Sequence, residues 1–349
     1  MHPFNAQSCR FRVPTLVVGV FSLVLTLACG GAPSTAPSGT TQASLTAAQL
    51  ALVAYSTPQE AYGKIIAAFR NTPPGRNITF TQSYGASGDQ SRAVASGLPA
   101  DIVAFSLEPD ITRLVRAGIV AADWEADRHR GMVSDSIVVL VTRKGNPKHI
   151  KGWGDLTRPG IEVITANPFA SGAARWNVMA AYGAMSDAGK NDRAGVSYLN
   201  DLFRHVSVQD DSARKSLQTF AGGKGDVLIA YENEAIFAQQ HGQDFAYIIP
   251  DQTILIENPV AVTVKTRHPD QARAFVDFLR SQTAQRIFAD AGYRPVVGGA
   301  AREGEFKTPA RLLTIADLGG WSSVNKRFFD PQASVMSGVE QSLGVSTHR

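Results

Sequence analysis

Short apolar runs of β type alternate with segments of helical period along most of the chain. The predicted strands lie at residues 52–55, 78–82, 101–105, 136–141, 162–166, 206–209, 227–231, 247–250 and 260–264. The predicted helices lie at residues 59–70, 87–96, 110–117, 171–185, 212–221, 232–240 and 270–280. This alternation predicts an α/β fold in which helices cross over between the strands of a sheet.

The chain has 349 residues, which is long for a single compact domain and predicts two lobes. Its residues are 44% hydrophobic and 18% charged, as in ordinary soluble globular proteins. Disorder throughout the chain is therefore excluded.

The first 28 residues have the pattern of a secretory signal. They contain Arg10 and Arg12 and no acidic residue, and an apolar run follows at 16–28. This run is short for a membrane span but suits the apolar centre of a signal peptide. We therefore expect residues 1–28 to be a signal peptide that directs the folded part out of the cytoplasm.

The apolar run ends at Ala28-Cys29-Gly30, which resembles a bacterial lipoprotein processing site, although Thr26 stands where such sites usually have Leu. We expect Cys29 to become the first mature residue and to carry lipid. The alternative is an uncleaved membrane anchor with a free cysteine. Both alternatives place the folded part at the outer face of the membrane or in the periplasm.

Residues 29–45 are small and polar and contain two prolines, which predicts a flexible tether. Removal of residues 1–28 takes away two arginines and no acidic residue, so the formal net charge falls from +4 to +2. The basic balance is therefore no evidence for nucleic-acid binding, and no stripe of lysine and arginine occurs. We expect contact with the membrane only through the lipid.

Three junctions between a predicted strand and a helix are rich in small residues. They lie at 82–88, 167–176 and 210–214. The first N–H groups of a helix lack acceptors within it and lie at the positive end of its dipole. Ligands of open α/β folds bind outside the carboxyl ends of the strands, where all three junctions are expected. Each junction alone is explained by a helix cap, but the three together predict an anion site.

Several ordered motifs give the chain a specific resemblance. They are Gln82-Ser83 with Ala86-Ser87-Gly88, Val139–Val141 with Arg143–Lys148, Val163–Thr165 with Asn167-Pro168, Ser171-Gly172 with Ala174–Asn177, Gly225–Ala230 with Glu232–Ala235, Tyr293–Pro295 and Gly319–Trp321. Over about residues 52–321 the chain resembles the bacterial sulfate-binding proteins of the type II periplasmic binding-protein class.

The resemblance implies a two-lobed α/β fold with a ligand cleft between the lobes. We expect residues 46–136 and 262–349 to form lobe 1 and residues 137–261 to form lobe 2. Strands near 136–141 and 260–264 are expected to cross between them.

The resemblance also implies that one dehydrated anion is held mainly by backbone N–H groups. These donors fall on Ser87, Gly172, Ala173 and Ala213, with the Ser171 hydroxyl beside them. An early family motif with an aspartate is replaced here by Tyr55-Ser56-Thr57-Pro58, and two of the site positions also depart from the family pattern. Ala173 replaces a second glycine, and Tyr231 stands where the family has an indole donor, so that a phenol with a different reach takes its place.

A site built only of donors favours sulfate over phosphate. Phosphate keeps a proton at neutral pH, and leaving that buried O–H unpaired costs roughly 1–3 kcal/mol. We therefore expect the protein to capture sulfate or thiosulfate. Another tetrahedral oxyanion, molybdate or phosphate, remains an alternative.

The resemblance implies delivery to an ABC permease driven by a separate ATPase, and we expect the binding protein to be a monomer. An extracytoplasmic hydrolase with Ser171 as nucleophile is the alternative from another class. Ser171 is not embedded in a Gly-x-Ser-x-Gly elbow, and Gly222–Asp226 lacks Walker spacing. The histidines show no metal-ligand spacing, so we expect no enzyme activity, cofactor or metal.

Overall fold

The computed structural model describes residues 45–347. The predicted signal peptide, Cys29 and almost all of the predicted tether lie outside the described residues. The strands are β1 (Ala48–Tyr55), β2 (Ile78–Gly85), β3 (Ile102–Ala104), β4 (Met132–Thr142), β5 (Val163–Ala166), β6 (Val206–Asp210), β7 (Val227–Tyr231), β8 (Ala246–Ile248), β9 (Gln252–Val262) and β10 (Arg311–Leu313).

Helices follow most of the strands. They are α1 (Gln59–Arg70), α2 (Ser87–Ala95), α3 (Glu108–Arg116), α4 (Gly172–Met185), α5 (Asp192–Arg204), α6 (Ala213–Ala221), α7 (Glu232–Gln240), α8 (Pro269–Leu279), α9 (Gln282–Asp290), α10 (Gly320–Phe328) and α11 (Val335–Ser342). Among residues 45–347, none of the helices is long and apolar enough to cross a membrane.

Two long strands connect the halves of the sheet. The strand order is β2-β1-β3-β9-β4-β7-β5-β6, with β10 paired to β9 and β8 paired to β4. The first half of β4 pairs with β9, with Ser136 opposite Ile256, and its second half pairs with β7, with Leu140 opposite Ile229. The end of β9 pairs with β3, with Ala261 opposite Val103. β4 and β9 therefore cross from one half of the sheet to the other.

Parallel strands in each half place the junction residues at the carboxyl edge of the sheet. β1 pairs in parallel with β2 and β3, and β5 pairs in parallel with β6 and β7. Helices α2, α4 and α6 are the first α-helices after β2, β5 and β6 in the chain. The three predicted junctions therefore lie at strand ends, where ligands bind in open α/β sheets.

Each half of the sheet has its own apolar packing. Phe69, Phe275 and Phe288 pack with β1 and α1 in one cluster. In a second cluster, the Trp321 ring packs edge to face on Trp176 of α4, with the ring centroids 4.6 Å apart.

The C-terminal segment packs on elements of predicted lobe 2. β10 pairs with the first residues of β9, and Trp321 and Phe328 pack in the same cluster as α4 and α5. The sequence grouped all of residues 262–349 with lobe 1. We propose instead that lobe 1 comprises residues 46–136 and 262–310 and lobe 2 comprises residues 137–261 and 311–347, because apolar contacts bind the C-terminal segment to α4.

Candidate functional site

Ser106, which follows β3, is the point where the two lobes meet. Its backbone N–H donates to Ser87 Oγ at 3.0 Å, and its carbonyl accepts from Trp176 Nε1 of α4 at 2.7 Å. Ser87 Oγ in turn donates to the buried Asp110 Oδ2 at 2.7 Å. Ser87 of lobe 1 and the first turns of α4 in lobe 2 are therefore held against the same residue.

Gly172 approaches Ser106 so closely that no larger residue fits. A Cβ at Gly172 would lie 2.1 Å from Ser106 Oγ and 2.5 Å from Leu107 Cδ2. Glycine at the start of α4 thus permits close contact between the lobes.

A second contact closes the lobes beside this one. The Gly88 N–H of α2 donates to Ala170 O at 3.1 Å, and Arg92 Nη2 donates to Phe169 O at 3.3 Å. Both donors belong to lobe 1 and both acceptors to lobe 2. The structure therefore has the closed arrangement of the two lobes.

Tyr231 ends β7 and is fully buried beside Ser106. Burial raises the pKa of its phenol well above the ordinary value, the neighbouring Tyr55 raises it further, and the Ser106 hydroxyl opposes these effects. The phenol therefore keeps its proton at neutral pH and can donate a hydrogen bond.

Three buried hydroxyls in this region make no hydrogen bond of good geometry among residues 45–347, although Ser106 and Tyr231 lie close to each other. They are Ser106 Oγ, Tyr231 OH and Tyr55 OH. A buried polar group without a partner costs roughly 1–3 kcal/mol, and native proteins rarely tolerate several together. These hydroxyls are therefore candidates to bind a ligand.

The helix starts add backbone donors. The N–H groups of Ser87, Gly172, Ala173 and Ala213 donate no backbone hydrogen bond outside the helices within the described part of the chain. Ser87, Gly172 and Ala213 are the first residues of α2, α4 and α6. The geometry thus provides unfilled donors at positive helix ends.

The predicted site residues differ in how directly they join this group. Ser87, Gly172 and Tyr231 lie around Ser106. Ser171 is the buried residue before α4, its N–H donates to Asn167 O at 2.9 Å, and its hydroxyl makes no cap bond; Ala173 follows in the first turn and is also buried.

Ala213 connects to the group through its surroundings. It packs on the apolar cluster that contains Tyr55 and Tyr231. Its neighbour Arg214 donates from Nη2 to Thr57 O of lobe 1 at 2.9 Å and to Glu234 Oε1 of α7 at 2.8 Å. The start of α6 is therefore fixed against both lobes.

Ser106 and Tyr55 were not predicted as site residues. Both stand at the ends of strands, and Ser106 lies between the predicted strand 101–105 and the predicted helix 110–117. Position between a strand and a helix would have pointed to Ser106, but enrichment in small residues would not, because Phe105, Leu107 and Glu108 surround it. Within residues 45–347, no group of three or more His, Cys, Asp or Glu side chains is arranged to hold a metal ion.

Known proteins share both the sequence and the fold. The family model described as bacterial extracellular solute-binding protein matches residues 50–294. A sulfate-binding protein of Synechococcus elongatus is 39% identical over 336 residues, which cover 93% of this chain and 95% of that protein. A thiosulfate-binding protein of Pseudomonas aeruginosa is 32% identical over 302 residues, which cover 79% of this chain and 88% of that protein.

The solved structure of the sulfate-binding protein SubI from Mycobacterium tuberculosis H37Rv matches with a TM-score of 0.79 and 48% sequence identity. The match covers 81% of this chain and 99% of that chain. It confirms the predicted two-lobed α/β fold. The family model that matches residues 50–294, together with these relatives, establishes that this chain belongs to the family of bacterial extracellular solute-binding proteins.

Proposed function

We propose that the protein captures sulfate or thiosulfate between its lobes and delivers it to an ABC importer. The observation that carries this proposal is the set of buried, unpartnered hydroxyls of Ser106, Tyr231 and Tyr55 beside unfilled helix starts. Relatives that cover most of the chain are named sulfate-binding and thiosulfate-binding proteins, which supports the same ligand class.

In this proposal the anion is bound by neutral donors. The anion accepts hydrogen bonds at the positive ends of three helix dipoles, from the backbone N–H groups of Ser87, Gly172, Ala173 and Ala213. It also accepts from the hydroxyls of Ser171 and Tyr231. Lobe closure excludes water, and electrostatic interactions strengthen in the low-dielectric cleft.

Selectivity against phosphate depends on the acceptors that remain available. Asp110 is the buried carboxylate nearest to Ser87, but its oxygens already accept from Ser87 Oγ and from Arg113 Nη1 at 2.8 Å. Asp110 therefore already accepts one hydrogen bond at each oxygen, whereas Asp210 Oδ2, at the end of β6, is buried and has no partner among residues 45–347. Hydroxyl groups can accept as well as donate, so the backbone N–H groups carry most of the preference for sulfate.

We propose a binding role without catalysis. The relatives are named binding proteins. Nucleophilic catalysis by serine needs an adjacent base, and no hydrogen bond within residues 45–347 joins the Ser171 hydroxyl to a histidine or a carboxylate. An ester-hydrolysis assay that shows turnover lost in Ser171→Ala would establish the hydrolase instead.

The family places the protein outside the cytoplasm. We propose in addition that Cys29 carries a lipid, that residues 29–45 tether the lobes to the membrane, and that the partners are a permease and a separate ATPase. The binding protein acts as a monomer in this scheme. Mass measurement of the membrane-extracted protein tests the lipid, because diacylglycerol on Cys29 changes the mass of the N-terminal peptide.

Isothermal titration with sulfate, thiosulfate, molybdate and phosphate at fixed ionic strength tests the ligand class. We expect binding heat from sulfate or thiosulfate and weaker or no heat from phosphate. Absence of heat from both sulfur oxyanions would contradict the proposed function. Tight molybdate binding in their place would favour the other oxyanion class.

A further inference from the structure

A strongly basic cavity that is open to solvent lies between the lobes. It has a volume of about 890 Å³ and is called the basic chamber here. Five cationic side chains from four helices line it, namely Arg92, Arg113, Arg116, Arg175 and Lys326. Ser87, Ser106, Gly172 and Tyr231 do not line it, so the basic chamber is separate from the proposed sulfate site.

Acidic partners compensate only part of this charge. Arg92 pairs with Asp89, and Arg113 pairs with Asp110 at 2.8 Å. Arg116 and Lys326 are exposed and make no ion pair or side-chain hydrogen bond within the described residues. Among the residues that line the basic chamber, the one carboxylate is Asp330.

The guanidinium of Arg175 is buried close to the cationic side chains of Arg92 and Arg113. Its partners are neutral, since Nε donates to Pro168 O and Nη1 donates to Asn325 Oδ1, both at 2.9 Å. Burial lowers the pKa of its guanidinium to about 10, with Asp110 opposing this and the like charges of Arg113 and Arg92 adding to it. A cation held among cations in a partly dry place favours an anionic ligand.

The walls of the basic chamber come from both lobes. Arg92 belongs to α2 and Arg116 to α3 of lobe 1, whereas Arg175 belongs to α4 of lobe 2 and Lys326 to α10 of the C-terminal segment. Arg92 and Phe169, which are joined by a hydrogen bond between the lobes, both line the basic chamber. A ligand that touches all four helices therefore contacts both lobes only when they are closed.

We propose that the basic chamber binds a small linear oligophosphate, which bridges the closed lobes and thereby strengthens sulfate binding. The volume exceeds the needs of one tetrahedral anion, and several guanidinium groups favour a chain of phosphates because each can hold two oxygens. A ligand that binds the closed state better shifts the protein towards that state. The coupling to sulfate rests on the proposed function, whereas binding to the basic chamber does not.

Inorganic tripolyphosphate is the probe, titrated calorimetrically into the full mature protein without divalent cations. The test variant is Arg116→Gln with Lys326→Gln, because neither side chain has a partner to lose. The control is Arg76→Gln with Lys151→Gln, which removes the same charge from exposed positions away from the basic chamber. We expect the test variant to raise the tripolyphosphate Kd about tenfold or more and the control to leave it nearly unchanged.

Sulfate titrations with and without saturating tripolyphosphate, at equal ionic strength, test the coupling. We expect tripolyphosphate to lower the sulfate Kd about fivefold or more in the wild type and not in the test variant. Equal loss of tripolyphosphate binding in test and control variants would overturn the site, as would absence of binding heat. A raised or unchanged sulfate Kd would overturn the bridge. Tripolyphosphate binding in a protein that binds no sulfate would support the basic chamber and refute the proposed function alone.

Discussion

The proposed sulfate cleft around Ser106 and the basic chamber lie at the same lobe interface but offer an anion different chemistry. Around Ser106 the cleft presents hydroxyls and backbone N–H groups, and its buried carboxylate Asp110 accepts from Ser87 and Arg113. The basic chamber presents guanidinium and ammonium groups, two of which have no partner within the described residues.

The difference indicates that a protein can select one anion with neutral donors and attract anions in general with cationic side chains. Neutral donors fixed on helix ends recognise the shape and proton count of a small anion, and they need little reorganisation when water leaves. Mobile cationic side chains attract many anions and lose strength in salt. We therefore expect the cleft to respond to small changes of geometry and the basic chamber to respond to changes of charge.

The largest effect is expected from Gly172→Ala. The added methyl would overlap Ser106 Oγ and Leu107, so that the lobes cannot close as they do here. We expect sulfate binding to weaken by roughly 3 kcal/mol in calorimetry. Gly154→Ala is the matched control, since a Cβ there meets nothing within 4 Å. Wild-type affinity in Gly172→Ala would show that closure does not depend on this contact.

A smaller effect is expected from Tyr231→Phe. The change removes one buried hydroxyl that has no partner within residues 45–347 and keeps the ring. Loss of a donor to a charged ligand should weaken sulfate binding by about 2 kcal/mol. Tyr247→Phe removes a phenol outside the cleft and should leave the Kd unchanged. If both variants bind sulfate equally well, Tyr231 does not replace the indole donor of the family.

Ser171→Ala tests the other hydroxyl. The first turn of α4 keeps its backbone donors in this variant, so we expect a loss of about 1.5 kcal/mol in sulfate binding. Ser207→Ala removes an exposed hydroxyl and serves as the control. An unchanged sulfate Kd would assign Ser171 to the structure of the α4 start alone.

A change of pH is expected to have the smallest effect on the sulfate Kd. Sulfate carries no proton at neutral pH, and burial holds the pKa of both Tyr55 and Tyr231 well above the ordinary tyrosine value. The donors of the cleft therefore keep their protons, and the sulfate Kd should stay constant between about pH 6 and pH 9. A steep loss of affinity in that range would mean that a titrating acceptor enters the cleft.

Local pattern was sufficient for much of the sheet and for the junctions. The predicted helices 59–70 and 232–240 have the same bounds as α1 and α7. Ser87, Gly172 and Ala213 begin helices at strand ends, because strand period, helix period and small junction residues are all set within a few residues of the chain.

Long-range pairing decided what the pattern missed. β9 begins at Gln252, eight residues before the predicted strand, and it accommodates Glu257, Asn258 and Pro259. Pro259 has no N–H to donate to a neighbouring strand. It lies opposite Met132, next to a register shift in β4 that accommodates the missing hydrogen bond. Helices α5, α9, α10 and α11 also went unpredicted, although the sequences of α5 and α9 have an amphipathic pattern of helical period.

The sequence by itself determined the class of fold, and it predicted donors at three helix starts and the kind of anion that they suit. The tertiary structure decided that the Ser106 and Tyr55 hydroxyls are buried near Tyr231, that the C-terminal segment packs on α4, and that cationic side chains from four helices share one cavity. The physical reason is distance along the chain. Helix starts arise from neighbouring residues, whereas an unpartnered hydroxyl or a cluster of like charges exists only after the two lobes have met.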